Sequence, residues 1–557
     1  MKFVLYGMPC SGKTTLLNAL SKQLFVVKGS SWLQEQTQGS FDSLLDLQKL
    51  YWRGAYLDYL KELPHEHLIS DGHYAFADDV VFTSEDGDCY DVFLYLYCQP
   101  EVLFERLSHS SKNHKFAHLS VDELDAWQQR EVRELREQCH QRNKDFYVIP
   151  DSNLSVLEVQ SFIKAIIDDD FSSFKLAEII VAKIKETYPQ TEKLVLIDGD
   201  KTFINEDTLS VCAPGFKTTI FDGDFYTGYQ SYCFEQQVQG LELDYKRLEQ
   251  CTLNEKILLC LHCEEARDHT KLEELEDKGV IIISSGINNL WSQLVQRWNL
   301  STVFASPFIS ADTKYYVAKL LRAEGYHITA YGDSQNDWYL LHEADEGYVY
   351  IGSRVSRSLR NSDISDLKFL MTNHVMVLNQ CAADSELLRD IELCKSSSGV
   401  TGAKLAQAHY NLGQKMGAYL KQVLPNKNIP VLVLERGGRF FGDGIYLSFG
   451  GKFYPVNPKH DKLPELKSNF ILIVDSVINT GNSLLDLIKQ LKHANPDLQV
   501  ALVTNVIQRE ALAKFKLYPL FAIRVSDNKF VGKRQRKQVG NSGPDTADRL
   551  FNLIEDW

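Results

Sequence analysis

The stretch KLVLIDGDKTFI, residues 193–204, decides how this chain is read. The apolar run Leu194 to Ile197 predicts a buried parallel strand, and Asp198, Asp200 and Thr202 follow it on alternate positions. A carboxylate pair after a strand is often a solvated turn, so its weight depends on what comes next. Three further pieces follow in order. GVIIISSG brings Ser284 to a strand end, SADTKYYVAKLL brings Lys314 to a helix start, and AYGDSQNDWYLL places Asp333 and Asp337 after another strand. Outward from this core, similar apolar runs alternate with helix-period stretches, an α/β pattern that recurs along the chain. At 557 residues the chain exceeds one hydrophobic core, so several domains are expected.

Composition narrows the classes. With 44% hydrophobic and 24% charged residues, and no apolar window of about 18 residues, the sequence predicts a soluble chain without a membrane partner. The start MKFVLYGMPC reaches glycine and proline too soon for a signal-peptide core, and the 11 cysteines are scattered rather than framed for disulfides, which predicts the cytoplasm. CLHC, residues 260–263, lacks two further ligands at suitable spacing and reads as a reduced helical pair. A net charge of −14 argues against a general nucleic-acid partner, and KRQRK, residues 533–537, reads as a solvated hairpin. Divisions are placed near 185 and 370, giving units 1–185, 186–370 and 371–557.

The four pieces from Asp198 to Asp337 together resemble the haloacid dehalogenase superfamily, most closely its phosphoserine-phosphatase-like members. The resemblance implies a Rossmann-like fold with a helical cap, inserted at about 205–275, that selects a phosphoester substrate. Asp198 would attack phosphorus, and Asp200 would protonate the leaving oxygen and then activate water. Ser284 and Lys314 would hold phosphoryl oxygens. Mg²⁺ would bind through Asp198, the Asp200 carbonyl and Asp333, with Asp337 orienting the cluster.

The amino-terminal FVLYGMPCSGKTTLLNAL, residues 3–20, satisfies GxxxxGK[ST] between a strand and a helix through Gly7, Gly12, Lys13 and Thr14. Backbone N–H groups and the helix dipole suit nucleotide phosphates, Lys13 reaches the outer ones, Thr14 can ligate Mg²⁺, and Thr15 continues the turn. HLISDGHY ends a strand at Asp71. DVFLYLYCQPEVLFERL and WQQREVRELREQ then resemble the later strand and arginine-bearing lid of nucleoside and nucleotide kinases. The resemblance covers about 1–165 and implies ATP. Arg106, Arg130 and Arg133 could neutralise phosphate charge or serve solubility alone. Asp71-Gly72-His73 departs from the Asp-Arg of thymidylate-kinase-like enzymes, so an acceptor-binding arginine is missing.

In the last third, an apolar strand reaches Asp475 and Asn479-Thr480-Gly481-Asn482-Ser483 opens a helix. This resembles the phosphoribosyl-diphosphate (PRPP) loop of type I phosphoribosyltransferases. PVLVLERGGRFFGDG before it and GNSGPDTADRLF after it look like the pyrophosphate and base loops of uracil phosphoribosyltransferase, over about 372–557. The likeness implies Asp475 on the ribose hydroxyls, residues 479–483 on the 5′-phosphate, Arg436 on pyrophosphate and Asp545 beside the base, with room for a homodimer through this unit. The family's Gly-Leu-Gly-Asp-Ala-Gly-Asp-Arg is here Ser542-Gly543-Pro544-Asp545-Thr546-Ala547-Asp548-Arg549, and Pro544 has no N–H to offer a base. A modified pyrimidine or another base is therefore expected. The whole reads as a three-part enzyme of nucleobase or nucleotide salvage, using ATP, PRPP and Mg²⁺. The alternative is a nucleotide-responsive regulator in which only the central unit turns over.

Overall fold

Three parallel sheets, each sandwiched by helices, follow one another along the chain. The computed structural model describes all residues except 77–78, 111–115, 117, 154, 190, 263–274, 276, 301, 361, 363–365, 382–383, 426–427, 459, 528, 531–537, 540–544 and 555–557. The KRQRK run, Cys263, Ser542, Gly543 and Pro544 lie outside the described residues.

The first sheet orders its strands Phe25–Val27, Leu68–Asp71, Lys2–Tyr6, Val92–Tyr97 and Asp145–Pro150. Its central strands are apolar on both faces, as VFLYLY at Val92–Tyr97 shows, because helices cover both sides. The second sheet runs Val303–Ala305, Val280–Ser284, Lys193–Ile197, His327–Gly332, Glu346–Ile351 and Lys368–Met371, all parallel. The strand carrying Asp198 is thus central, between the strand of Ser284 and the strand that leads to Asp333. The third sheet runs Val375–Val377, Leu520–Ser526, Gln499–Gln508, Phe470–Ile478, Pro430–Leu434 and Lys452–Val456. Its Asp475 lies inside a strand that continues to Ile478, rather than at the strand's end as the sequence suggested, because the apolar alternation persists through Val477 and Ile478.

The joints differ from the sequence divisions in informative ways. The helix Ser173–Thr187, which runs across the division expected near 185, packs Ala177, Ile180, Val181 and Ile184 against Leu194, Leu196 and Val317 of the second unit. The same apolar cluster runs on through Met371 into Val431, Val474 and Ile523, so the second and third units share one continuous core. The inserted segment divides its loyalties. Residues Thr208–Cys212 and Tyr245–Cys260 cover the second unit, burying Cys212, Leu248 and Ile257 with Trp291. The helix Gly228–Val238 leans instead on the first unit. There Val148 N–H donates to Thr227 Oγ1 at 3.1 Å and Gln230 Nε2 donates to the Val148 carbonyl at 2.8 Å.

In the third unit the helices Gly402–Val423 and Arg439–Phe449 cross at glycine. A Cβ at Gly413 would lie 2.2 Å from the Phe441 carbonyl oxygen, and one at Gly444 would lie 2.2 Å from that of Tyr410. Backbone cannot yield as a flexible side chain can. Gly413→Ala should therefore lower stability by about 1–3 kcal/mol, seen as a lower urea midpoint for the full chain; an unchanged midpoint would show that the crossing is looser than described.

Candidate functional site

The second sheet gathers its candidates at the carboxyl ends of its strands, where open parallel sheets place their ligands. Gly199 and Gly286 let the loops close. A Cβ at Gly199 would sit 2.6 Å from Ser284 Oγ, and one at Gly286 would sit 2.7 Å from Asp200 Oδ2, so no larger residue fits either place without displacement. Lys314, fully buried in the first turn of the helix Ala311–Ala323, donates to Asp198 Oδ1 at 2.5 Å and to Asp337 Oδ1 at 2.6 Å. Asp337 is also fully buried and accepts the Ser334 N–H at 3.2 Å and its hydroxyl at 2.9 Å. The structure thus brings together all the central-unit residues singled out in the sequence: Asp198, Asp200, Ser284, Lys314, Asp333 and Asp337.

Electrostatics here is dominated by crowded carboxylates. Burial, with Asp337 beside it, pushes the Asp198 carboxyl up to about 7 despite Lys314. Burial and then Asp207 push Asp200 up to about 6. Asp333 is driven well above the carboxylate range by burial, Asp198 and Asp337. Burial alone would lower the Lys314 ammonium; Asp198 and Asp337 outweigh it and raise it. One oxygen each from Asp198, Asp333 and Asp337 lie within 4.8 Å of one another. That hard, anionic, oxygen-only set suits Mg²⁺. Asp198 and Asp333 are the two side chains expected from the sequence to hold the ion. The Asp337 carboxylate joins the set, whereas the Asp200 side chain turns away to accept the Thr208 N–H at 2.9 Å and hydroxyl at 3.2 Å. Trp291 Nε1 reaches the same carboxylate at 3.5 Å. Thr208 and Trp291 carried no sequence signal of this role, since each reads as a helix start or core residue.

In the first unit the loop after Lys2–Tyr6 turns through Gly7 and Gly12, both at positive φ, into the helix Lys13–Leu20. Lys13 is buried and donates to the Gly7 and Met8 carbonyls at 2.5 and 3.0 Å, while Thr14 and Thr15 are exposed. Ser11 Oγ is buried with no partner among the described residues, a loop hydroxyl for which a phosphate oxygen would be a partner. Arg106 reaches this loop, donating to the Ser11 carbonyl at 3.0 Å, and is held by Asp151 at 3.2 Å. Arg130 is half-buried and Arg133 exposed on the helix Val121–Arg142. Asp71 already accepts the Gly29 N–H at 2.7 Å.

In the third unit burial pushes the Asp475 carboxyl up to about 7, with the Asp545 charge adding to the rise. Gly481, at φ 75°, lets the turn enter the helix Asn482–Ala494. Asn479 accepts from Gln508 at 2.8 Å. Lys514, which the sequence reading passed over, donates to the Thr480 carbonyl at 2.8 Å and to Asn482 Oδ1 at 2.7 Å, adding a cation to this turn. Arg436 pairs with Asp548 at 2.7 Å, and Asp545 caps the helix Thr546–Leu550 through the Ala547 N–H at 2.9 Å. Arg549 is buried against the carbonyls of Leu393, Cys394 and Val400 and the Ser398 hydroxyl, which makes it a tie within the fold.

Residues 4–128 match a protein-family model described as an AAA domain. No curated protein matches the chain. Similar solved structures include shikimate kinase from Acinetobacter baumannii, 16% identical over 30% of this chain and 93% of its own, with a TM-score of 0.25. Orotate phosphoribosyltransferase from Mycobacterium tuberculosis is 17% identical over 28% of this chain and 98% of its own, at 0.23. The xanthine-guanine-hypoxanthine phosphoribosyltransferase of Helicobacter pylori is 19% identical over 22% and 85%, at 0.19. Among the described residues no helix is long and apolar enough to cross a membrane.

The carboxylate crowding has a sign that can be measured. A carboxyl raised from 3.8 to about 7 on folding supports the folded state below pH about 4 and loses that support as pH rises through about 7. Relative to Asp198→Asn, the metal-free parent should lose thermal stability across that window, and Mg²⁺ should restore it at pH 7.5 in the parent far more than in the variant. Equal pH profiles and equal Mg²⁺ responses would show that Asp198 is not part of a charged cluster.

Proposed function

We propose that this chain is a three-part enzyme of nucleobase or nucleotide metabolism. Its central unit hydrolyses a phosphomonoester through an aspartyl-phosphate, its third transfers phosphoribosyl from PRPP to a base, and its first binds ATP and phosphorylates a nucleotide. The observation that carries the central assignment is the convergence of Asp198, Ser284, Lys314, Asp333 and Asp337, drawn from three strand ends and a helix start, on one cluster.

The chemistry follows from these groups. The Asp198 carboxylate attacks phosphorus, and the bond to the ester oxygen breaks with that oxygen taking the Asp200 proton. A carboxyl raised to about 6 retains enough proton near neutrality for this task. Asp200, now ionised, takes a proton from water, whose oxygen attacks phosphorus, and phosphate leaves Asp198 free. Lys314, fixed between Asp198 and Asp337, neutralises both carboxylates and would meet phosphoryl oxygens, and the Ser284 hydroxyl lies against Gly199. Asp198, Asp333 and Asp337 would hold Mg²⁺, which supplies the charge that lets an anionic nucleophile approach an anionic ester.

For the third unit the reading rests on Asp475 beside the Thr480–Ser483 turn, an acid for ribose hydroxyls and donors for a 5′-phosphate, with Lys514 adding charge. The substitution of Pro544 removes one base-reading donor, which supports a base other than uracil. For the first unit the support is the phosphate loop with Lys13, the unpartnered Ser11 hydroxyl and the family match over 4–128. A narrower reading, binding of ATP without transfer, is favoured there by Asp71, whose carboxylate is already engaged by Gly29 and has no arginine after it.

Asp198→Asn should cut phosphate release by several orders of magnitude while leaving the fold intact, because an amide is a poor nucleophile; near-parent release from every substrate would refute the central assignment. In competition assays following pyrophosphate release from PRPP, another base should outcompete uracil by roughly tenfold or more. Absence of turnover with any base would remove the transferase reading, and a clear preference for uracil would remove the altered specificity.

A further inference from the structure

The helix that presents Lys314 is gripped at its start by the first unit. Asp312, two residues before Lys314, is 2% exposed. Its Oδ1 accepts from Arg136 Nε at 2.6 Å and meets His140 Nε2 at 2.7 Å, both from the helix Val121–Arg142. Arg136 and His140 are themselves nine-tenths or more buried. The guanidinium lies over the Tyr339 ring at 4.2 Å, and the imidazole stacks on Tyr315 at 3.9 Å. Arg136 Nη1 also donates to the Phe225 carbonyl at 3.4 Å, and the neighbouring Tyr226 carbonyl accepts the Ala311 N–H at 3.3 Å. One arginine thus touches the inserted segment and the lysine helix together.

The pairing is incomplete in a way that simple adhesion would not leave. An arginine and a carboxylate free to settle make two parallel bonds. Here Asp312 Oδ2 is buried without a hydrogen-bond partner, the Arg136 guanidinium being shared with the Tyr339 side chain, and such a group is costly to leave unpaired. The helix start is thus not placed by a two-bond pairing with Arg136 alone. The competing demand is visible on the same turn: Lys314 is tied to Asp198 and Asp337. Further along the helix, Tyr316 and Lys319 donate to the Lys144 carbonyl at 2.6 Å and to Asn143 Oδ1 at 2.8 Å, so the helix bridges the two units over several turns.

We infer that Arg136 and His140, acting through Asp312, are positioning residues for Lys314, so that the first unit sets the phosphoryl grip of the second. This rests on the reading of the aspartate cluster as a phosphoester-hydrolysing site. Neither Arg136, His140 nor Asp312 touches the reacting atoms. Their effect would pass through the register of one helix, and removing them would leave the nucleophile in place but its lysine misaligned.

The test uses the full chain with para-nitrophenyl phosphate and Mg²⁺, on material whose folded fraction is measured by thermal unfolding. Asp312→Asn and Arg136→Leu should lower kcat/KM per folded chain by about tenfold, and should raise the inhibition constant of inorganic phosphate, which reports the lysine's grip directly. Arg136→Lys keeps the charge and one donor but loses the planar group over Tyr339, and should recover part of both values. If the first two variants fail to fold, Asp312→Glu, which moves the carboxylate by one methylene, should show the same two changes in milder form. Folded variants with the parent's kcat/KM and phosphate inhibition would overturn the positioning role alone. A parent that neither hydrolyses the ester nor is bound by phosphate would overturn the site reading, and this inference with it.

Discussion

Lys314, a fully buried ammonium between the carboxylates of Asp198 and Asp337, is the interaction on which the centre of this molecule depends. Three acidic side chains packed within a few ångströms would repel one another in a low-dielectric interior, and breaking such a buried pair by removing one partner is far costlier than losing a surface ion pair. The lysine offsets part of that repulsion and leaves the remainder visible as carboxyls raised above their ordinary range. That residue of uncompensated charge is what a divalent cation and a phosphoryl group would exploit. The lysine sits in a helix's first turn, two residues after Asp312, which is itself bonded to Arg136.

The same solution recurs with different parts. Each unit offers the carboxyl edge of a parallel sheet, where strands end and helices begin and where backbone donors converge. In the first unit a glycine turn and Lys13 occupy that edge, in the second a lysine among carboxylates, and in the third a turn at Gly481 with Asp475 and Lys514. The units are not strung as independent beads. The second and third share a continuous apolar cluster, and the first and second are joined by the buried Arg136–Asp312 contact and by the helix Gly228–Val238 lying on the strand Asp145–Pro150.

Much of this was legible in the sequence because phosphate chemistry concentrates its residues at strand–helix junctions. Gly7 to Thr14 are contiguous, Asp198, Ser284 and Asp333 each end or follow an apolar run that marks the sheet, and Lys314 opens a helix-period run. What escaped was whatever depends on distance along the chain. Arg136 and Asp312 are 176 residues apart, and although both lie in stretches notable for other residues, neither stretch points to the other. The helix Ser173–Thr187 has an amphipathic pattern that says it packs, but not on which sheet. Arg549 follows an acidic residue as a binding arginine would, yet its guanidinium is consumed by backbone carbonyls. Asp200 was expected to face the metal only through its carbonyl, and its side chain is turned to Thr208, while the approach of the Asp337 carboxylate to Asp198 and Asp333 required the three-dimensional arrangement.

The central claim is that a carboxylate of this chain becomes phosphorylated during turnover. It is tested most directly by acid-quenching the full chain during hydrolysis of a phosphorus-labelled ester and mapping the label by mass spectrometry before and after hydroxylamine. The account predicts a hydroxylamine-sensitive phosphate on the peptide containing Asp198, absent from Asp198→Asn. Steady hydrolysis with no label on that peptide, or with label on another residue, would contradict it.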